Sequence, residues 1–175
     1  NLIEQGAFYP TPWTSMPLIS QALWGAIFCI PFGFSFTALR FSTLSLGLIG
    51  IAGTYLLLRL IGSNRLLAII GSLLIAINPI YFALSFTFMT DVPFTAFSVL
   101  ALLSLILYLQ KESNIYLIIG GCFTTIAVLC RQLGLFLPIA FTIAVVAKHG
   151  ISLRSLVRVG SILIVGFGSK FLFES

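Results

Sequence analysis

Charge is scarce in this sequence. Of 175 residues only nine are Lys or Arg and four are Asp or Glu, so 7% are charged while 59% are hydrophobic. A folded surface in water carries about a quarter of its residues as charges, which excludes a soluble globular domain, a secreted disulfide scaffold and a disordered tail together. Histidine is reduced to His149, so no His-cluster metal site is expected. Cysteine is limited to Cys29, Cys122 and Cys130, which form no CxxC pair and lie in apolar runs. They read as small core hydrophobes. No Walker loop, GxGxxG, GxSxG, HExxH or nucleic-acid motif occurs, and those classes have no support. The chain opens on Asn1 without a methionine or a signal-peptide pattern and closes on Phe173-Glu174-Ser175, as expected of a piece of something longer.

Long apolar runs are abundant, and a bilayer core asks for roughly 20 such residues per helical span. One run extends from Ser35 to Leu60, with Arg40 and Arg59 near its ends. A second extends from Leu66 to about Phe88 and is expected to kink at Asn78-Pro79. A third covers Val92 to Leu109, before the polar turn 110–114. Ile115–Cys130 and Leu133–Ala147 are two shorter stretches hinged at Arg131-Gln132, and Val157 to about Phe173 closes the series. Pro17–Ile30 is too short to span and is expected to lie as an interfacial or re-entrant helix, with Trp24 among its headgroup anchors and Glu4, Phe8, Tyr9 and Trp13 in the interfacial segment before it. The expected fold is an all-α, polytopic membrane helical bundle of five or six transmembrane helices. Residues 1–34 would form an outer loop with the juxtamembrane helix, and residues 35–175 the bundle.

The net charge of +5 would suggest nucleic acid in a soluble protein, but here the cations are few and scattered and no nucleic-acid partner is expected. Orientation in the bilayer accounts for them. With alternating spans, Arg59, Arg65, Lys111, Lys148, Arg154 and Arg158 fall on one face and Arg40, Arg131 and Lys170 on the other. Six against three marks the first face as cytoplasmic, with anionic lipid as a contact for Lys148, Arg154 and Arg158. Gly47, Gly50 and Gly53 on one helix, and Gly120 and Gly121 on another, are read as packing positions.

Charges near hydrocarbon are costly and need a reason. On the outer face these are Glu4, Arg40, Asp91, Arg131, Lys170 and Glu174. Asp91 sits in Thr90-Asp91-Val92-Pro93, where Thr90 or Asp91 can cap a helix with Pro93 in its first turn. A carboxylate there can equally bind or orient a polar substrate. Arg40 and Arg131, at the outer ends of two helices, can hold a phosphate through their guanidinium forks or else snorkel to headgroups. Asp91 starts one helix and Arg131 ends another, so both are expected to line one outward-facing cavity.

With this layout the chain resembles the membrane glycosyltransferases of GT-C fold that use lipid-phosphate sugar donors, of the protein-mannosyltransferase and aminoarabinose-transferase type. Residues 1–10 look like the end of that family's first outer loop, and Met16-Pro17-Leu18 through Trp24-Gly25 to Phe32-Gly33 like its juxtamembrane helix. Ala38-Leu39-Arg40, then Ser42 and Leu44, match the start of the next span. Asn78-Pro79 followed by Thr90-Asp91-Val92-Pro93-Phe94 resembles the family's helix-end, acid and restart pattern. Gly120-Gly121 through Leu129-Cys130-Arg131-Gln132 resembles its glycine-containing helix ending in a base. Order and spacing carry the likeness more than any single motif.

The resemblance implies an integral-membrane enzyme that moves a sugar from a polyprenyl-phosphate donor to a protein, lipid or glycan acceptor at the outer or lumenal face. Asp91 would be a second acid, with Arg131 and Arg40 toward the phosphate. The main catalytic acid is expected upstream of Asn1, and these residues alone are expected to be inactive. No cofactor or metal ligand set is evident, and membrane lipid is the one partner that composition itself requires. The membrane would be the plasma membrane in a bacterium or the endoplasmic reticulum in a eukaryote. Two other classes compete. One is a transporter or flippase with Asp91 and Arg131 as a gate in a midplane cavity, although both lie near helix ends. The other is a non-catalytic scaffold whose charges face headgroups separately.

Overall fold

In a computed structural model of the chain, residues 19–150 are described. Glu4, Phe8, Tyr9, Trp13, Arg154, Arg158, Lys170, Glu174 and the expected span 157–173 lie outside the described residues. All regular structure among the described residues is helical. Helix α1 covers Ile19–Phe32 and α2 Phe36–Leu60. Gly33 turns the chain between them at φ 72°, a left-handed backbone that glycine adopts without strain. Ser35 caps α2 by accepting from the Ala38 amide at 3.1 Å.

Asn64 caps α3, Arg65–Ile77, in the same way, accepting from the Leu67 amide at 2.8 Å. The expected kink is present. Asn78 ends α3 and caps α4, Pro79–Ser85, and the two helices are bent by 64°. Helix α5 runs Asp91–Lys111 and ends at Glu112, whose left-handed φ of 53° breaks the helix. Helix α6, Asn114–Cys130, leads through a 3₁₀ turn, Gln132–Leu135, into α7, Phe136–His149.

Two helices, α2 and α5, are long and apolar enough to cross a membrane, and α3 with α4 makes a third if the bent pair counts as one span. The α5 helix, 21 residues, is about 31 Å long at 1.5 Å per residue. That equals a hydrocarbon core of about 30 Å, so α5 is long enough to cross one, with Asp91 at its first residue and Lys111 at its last. Helix α1 has 14 residues, about 21 Å, and falls short of that thickness.

Small residues set the helix packing. Gly47 meets Val92, Gly50 meets Ala96 and Gly53 meets Val99, so α2 and α5 run side by side in the same direction. A Cβ at Gly50 would stand 3.2 Å from the Ala96 Cα and 2.9 Å from the Tyr81 hydroxyl. Gly120 lets Leu105 approach α6 in the same manner. The core around these contacts joins Leu46, Ala96, Phe97, Ala127 and Cys130, and a second cluster joins Leu105, Tyr108, Phe141 and Val145. Buried hydroxyls of Thr54, Ser104 and Thr124 donate to carbonyls one turn back, at 2.8, 2.8 and 2.7 Å. Each of these three hydroxyl protons is thereby spent within its own helix, in an apolar surround. Helix α3 exposes Leu66, Leu67, Leu73, Leu74 and Ile77, a surface suited to lipid chains. The reading of all three cysteines as core residues needs correction. Cys29 and Cys130 are buried, but Cys122 is exposed on the outside of α6 because it lies off that helix's packed stripe.

Candidate functional site

The bundle separates its charges by end. Arg40, Asp91 and Arg131 lie toward one end, where α2 and α5 begin and α6 finishes. At the other, Gln110 donates to the Leu60 carbonyl at 3.3 Å and Lys148 donates to the Leu109 carbonyl. Arg59, Arg65, Lys111 and Lys148 cluster there.

At the first end the start of α5 differs from the expected cap. Thr90 has helical backbone angles and makes no side-chain cap bond. Pro93 lacks an N–H that would need a partner, and the Phe94 amide donates to the Thr90 carbonyl at 2.9 Å. The Asp91 carboxylate instead accepts from Nη1 of Arg131, forty positions along the chain. Its place in the first turn also sets it against the positive end of the α5 dipole.

Arg131 is held by the way α6 stops. Its backbone is extended, at φ −151° and ψ 141°, while its amide still donates to the Ala127 carbonyl at 3.0 Å. The 3₁₀ turn then folds back on the last turn of α6. A Cβ at Gly134 would be 2.6 Å from the Val128 nitrogen and 2.8 Å from the Ala127 carbonyl carbon, so the fold requires glycine there. With its backbone fixed, the Arg131 side chain spends one nitrogen on Asp91. Nε is buried and has no hydrogen-bond partner among the described residues. A guanidinium offers five N–H donors in a rigid fork, and this one is only partly used.

Arg40 is not brought into contact with the pair. It is exposed, and no ion pair or hydrogen bond of its side chain occurs among the described residues. Gly47 packs at the level of Val92, so Arg40 stands about 10 Å further along the α2 axis than Asp91, at 1.5 Å per residue. Helix α1 flanks the site. Ser20 Oγ donates to Cys130 Sγ at 2.9 Å, Trp24 Nε1 donates to the Ser42 carbonyl at 2.9 Å, and Gly25 lies against Leu39 and Phe88.

Chemically, the arrangement is a carboxylate neutralised by a guanidinium with spare donors. An oxyanion arriving at Arg131 can replace the carboxylate as its partner and leave Asp91 free to accept a proton or a hydroxyl hydrogen bond. Gly134 and Gln21 escape a reading by sequence alone. Gly134 carries a signal, a glycine three residues after a helix-ending base. Gln21 carries only its amide within an apolar helix. Among the described residues no cluster of His, Cys, Asp and Glu is arranged to hold a metal ion.

A family model described as dolichyl-phosphate-mannose-protein mannosyltransferase matches residues 15–169. No curated protein and no solved structure matches the chain.

Proposed function

The chain belongs to the dolichyl-phosphate-mannose-protein mannosyltransferase family, and from that premise we propose that Asp91 and Arg131 form part of the transfer site of an integral-membrane glycosyltransferase. The observation that carries this reading is their pairing from the start of α5 and the end of α6. The donor is a sugar on a polyprenyl phosphate. Arg131 neutralises the lipid phosphate as it leaves, a charge-assisted contact that strengthens as negative charge develops there. Asp91 orients or deprotonates the acceptor hydroxyl as a second acid.

Arg40, about 10 Å beyond the pair at 1.5 Å per residue, guides the phosphate toward the site without holding it there. The acceptor is a protein, lipid or glycan at the outer or lumenal face, in the plasma membrane or the endoplasmic reticulum. In this reading the bundle has five or six spans, α1 lies at the outer interface, and the end holding Lys111 and Lys148 is cytoplasmic. The pair supports transfer more than a midplane gate, because a helix of α5's length puts Asp91 at a membrane boundary.

The direct test is transfer by the intact enzyme in liposomes, with radiolabelled dolichyl-phosphate mannose as donor and peptide or glycolipid acceptors. Mannose transfer that stops when the polyprenyl phosphate is replaced by a nucleotide sugar supports the reading. Absence of transfer from dolichyl- and shorter polyprenyl-phosphate sugars alike overturns it. In parallel, a cysteine placed at position 111 must stay unlabelled by an impermeant thiol reagent added outside.

A further inference from the structure

Gln21 on α1 is a residue that the packing of the described residues leaves unexplained. It is 3% exposed, and its amide nitrogen is buried without a hydrogen-bond partner among the described residues. An amide donor in an apolar surround is ordinarily paired, because losing water without gaining an acceptor costs free energy. Its neighbours fix where it sits. Ser20, the preceding residue, donates to Cys130 Sγ, and Arg131 follows Cys130 directly. Gly25, one turn further along the same face of α1, lies against Leu39 of α2 and against Phe88 in the segment that leads to Asp91. Gln21 therefore lies between the end of α6 and the turn into α5, on the side of the bundle where Arg131 keeps a buried, unpartnered Nε.

Two buried donors at one end of the molecule, Gln21 Nε2 and Arg131 Nε, lack acceptors among the described residues, and Asp91 already occupies another nitrogen of the Arg131 guanidinium. The partner that satisfies both donors brings acceptor oxygens and no donors of its own, which describes a phosphate. We infer that Gln21 is a ligand-binding residue whose amide donates to an oxygen of a lipid phosphate seated on Arg131, with α1 closing that seat. This rests on the phosphate role of Arg131 proposed above. A polyprenyl phosphate and an ordinary phospholipid headgroup share the chemistry, and the measurement separates them.

Binding of radiolabelled polyprenyl phosphate is measured on the intact enzyme in phosphatidylcholine nanodiscs, together with the thermal midpoint of each variant. Gln21→Leu should raise Kd about tenfold, the effect of losing one hydrogen bond to a charged group, and leave the midpoint unchanged or higher. An unchanged Kd with a lowered midpoint makes Gln21 a structural amide and overturns the inference. Gln21→Glu keeps the shape and adds a charge that repels phosphate, so it must weaken binding at least as much; unchanged affinity in this variant is equally decisive against the proposal. If Arg131→Ala weakens binding while neither Gln21 variant does, the Gln21 inference fails and the role of Arg131 stands. If Arg131→Ala binds like the wild type, the underlying reading itself fails. Phosphatidylglycerol at the same mole fraction should compete weakly, and equal competition would assign the seat to ordinary headgroups and overturn the donor assignment.

Discussion

The two ends of the bundle each hold one acid paired with one base, and they use the base differently. At the end where α5 finishes, Lys148 Nζ donates to the Leu109 carbonyl and stands 3.4 Å from the Glu112 carboxylate. Arg59 donates to the Ser63 carbonyl at 2.9 Å, and the Lys111 ammonium lies 5.3 Å from the Tyr116 ring centroid. Three of the cations at this end thus serve helix ends or a neighbouring ring, as cations near helix C-termini commonly do. At the opposite end Arg131 also follows a helix C-terminus, but its side chain turns to Asp91 and keeps a buried N–H without a partner among the described residues. A cation spent on local carbonyls is structural, whereas the one with an unspent donor beside a carboxylate is the residue proposed above to take a ligand. Similar residue types therefore do different work at the two ends, and the surroundings decide which.

The comparison is open to test by substitution. Asp91→Asn keeps size and places no new group in hydrocarbon, so α5 should fold while turnover of the intact enzyme falls on the order of 100-fold, the scale of a general acid–base contribution. Full activity in a transfer assay would reduce Asp91 to a partner that merely neutralises Arg131. Arg131→Ala should raise the donor KM roughly ten- to hundredfold through loss of a charge-assisted contact worth about 1.5–3 kcal/mol. Steady-state kinetics with varied lipid-phosphate sugar measure it, and a defect confined to the acceptor KM would move Arg131 to the wrong substrate. Gly50→Val acts midway between the ends. It forces α2 away from Ala96 and should lower stability by about 1–3 kcal/mol without favouring either end, as thermal unfolding in detergent would show. Lys148→Met should have the smallest effect, below about 1 kcal/mol in stability because the pair is largely exposed, with transfer rates unaltered. A large kinetic defect in that variant would erase the distinction between the ends.

Much of the fold was legible beforehand because a membrane makes local sequence decisive. A run of apolar residues is stabilised wherever it enters hydrocarbon, so the limits of α2, α5 and α6 follow from where polar residues interrupt it. The break at Asn78-Pro79 was legible for the same local reason, since proline cannot donate the next helical bond and asparagine caps the helix that follows. The start of α5 misled at one point. Thr90 and Asp91 are good capping residues by type, but a carboxylate prefers a charged partner when one arrives from another helix, and here it spends itself on Arg131. Cys122 misled because an apolar run does not reveal which of its faces is packed.

The sequence by itself determined that this chain is helical, where its apolar runs begin and end, and which charges gather at which end. Those properties depend on transfer free energy and on hydrogen bonds within a few residues, so neighbours in the chain settle them. Only the tertiary structure decided that Asp91 meets Arg131, that Arg40 stands apart from them, and that Gln21 is enclosed with its amide nitrogen unpaired among the described residues. These outcomes depend on the register in which α2, α5 and α6 pack. That register is set by close approaches such as Gly50 to Ala96 and Gly120 to Leu105. Each approach contributes little alone, and the summed dispersion contacts of many pairs select one arrangement that no single stretch of sequence encodes.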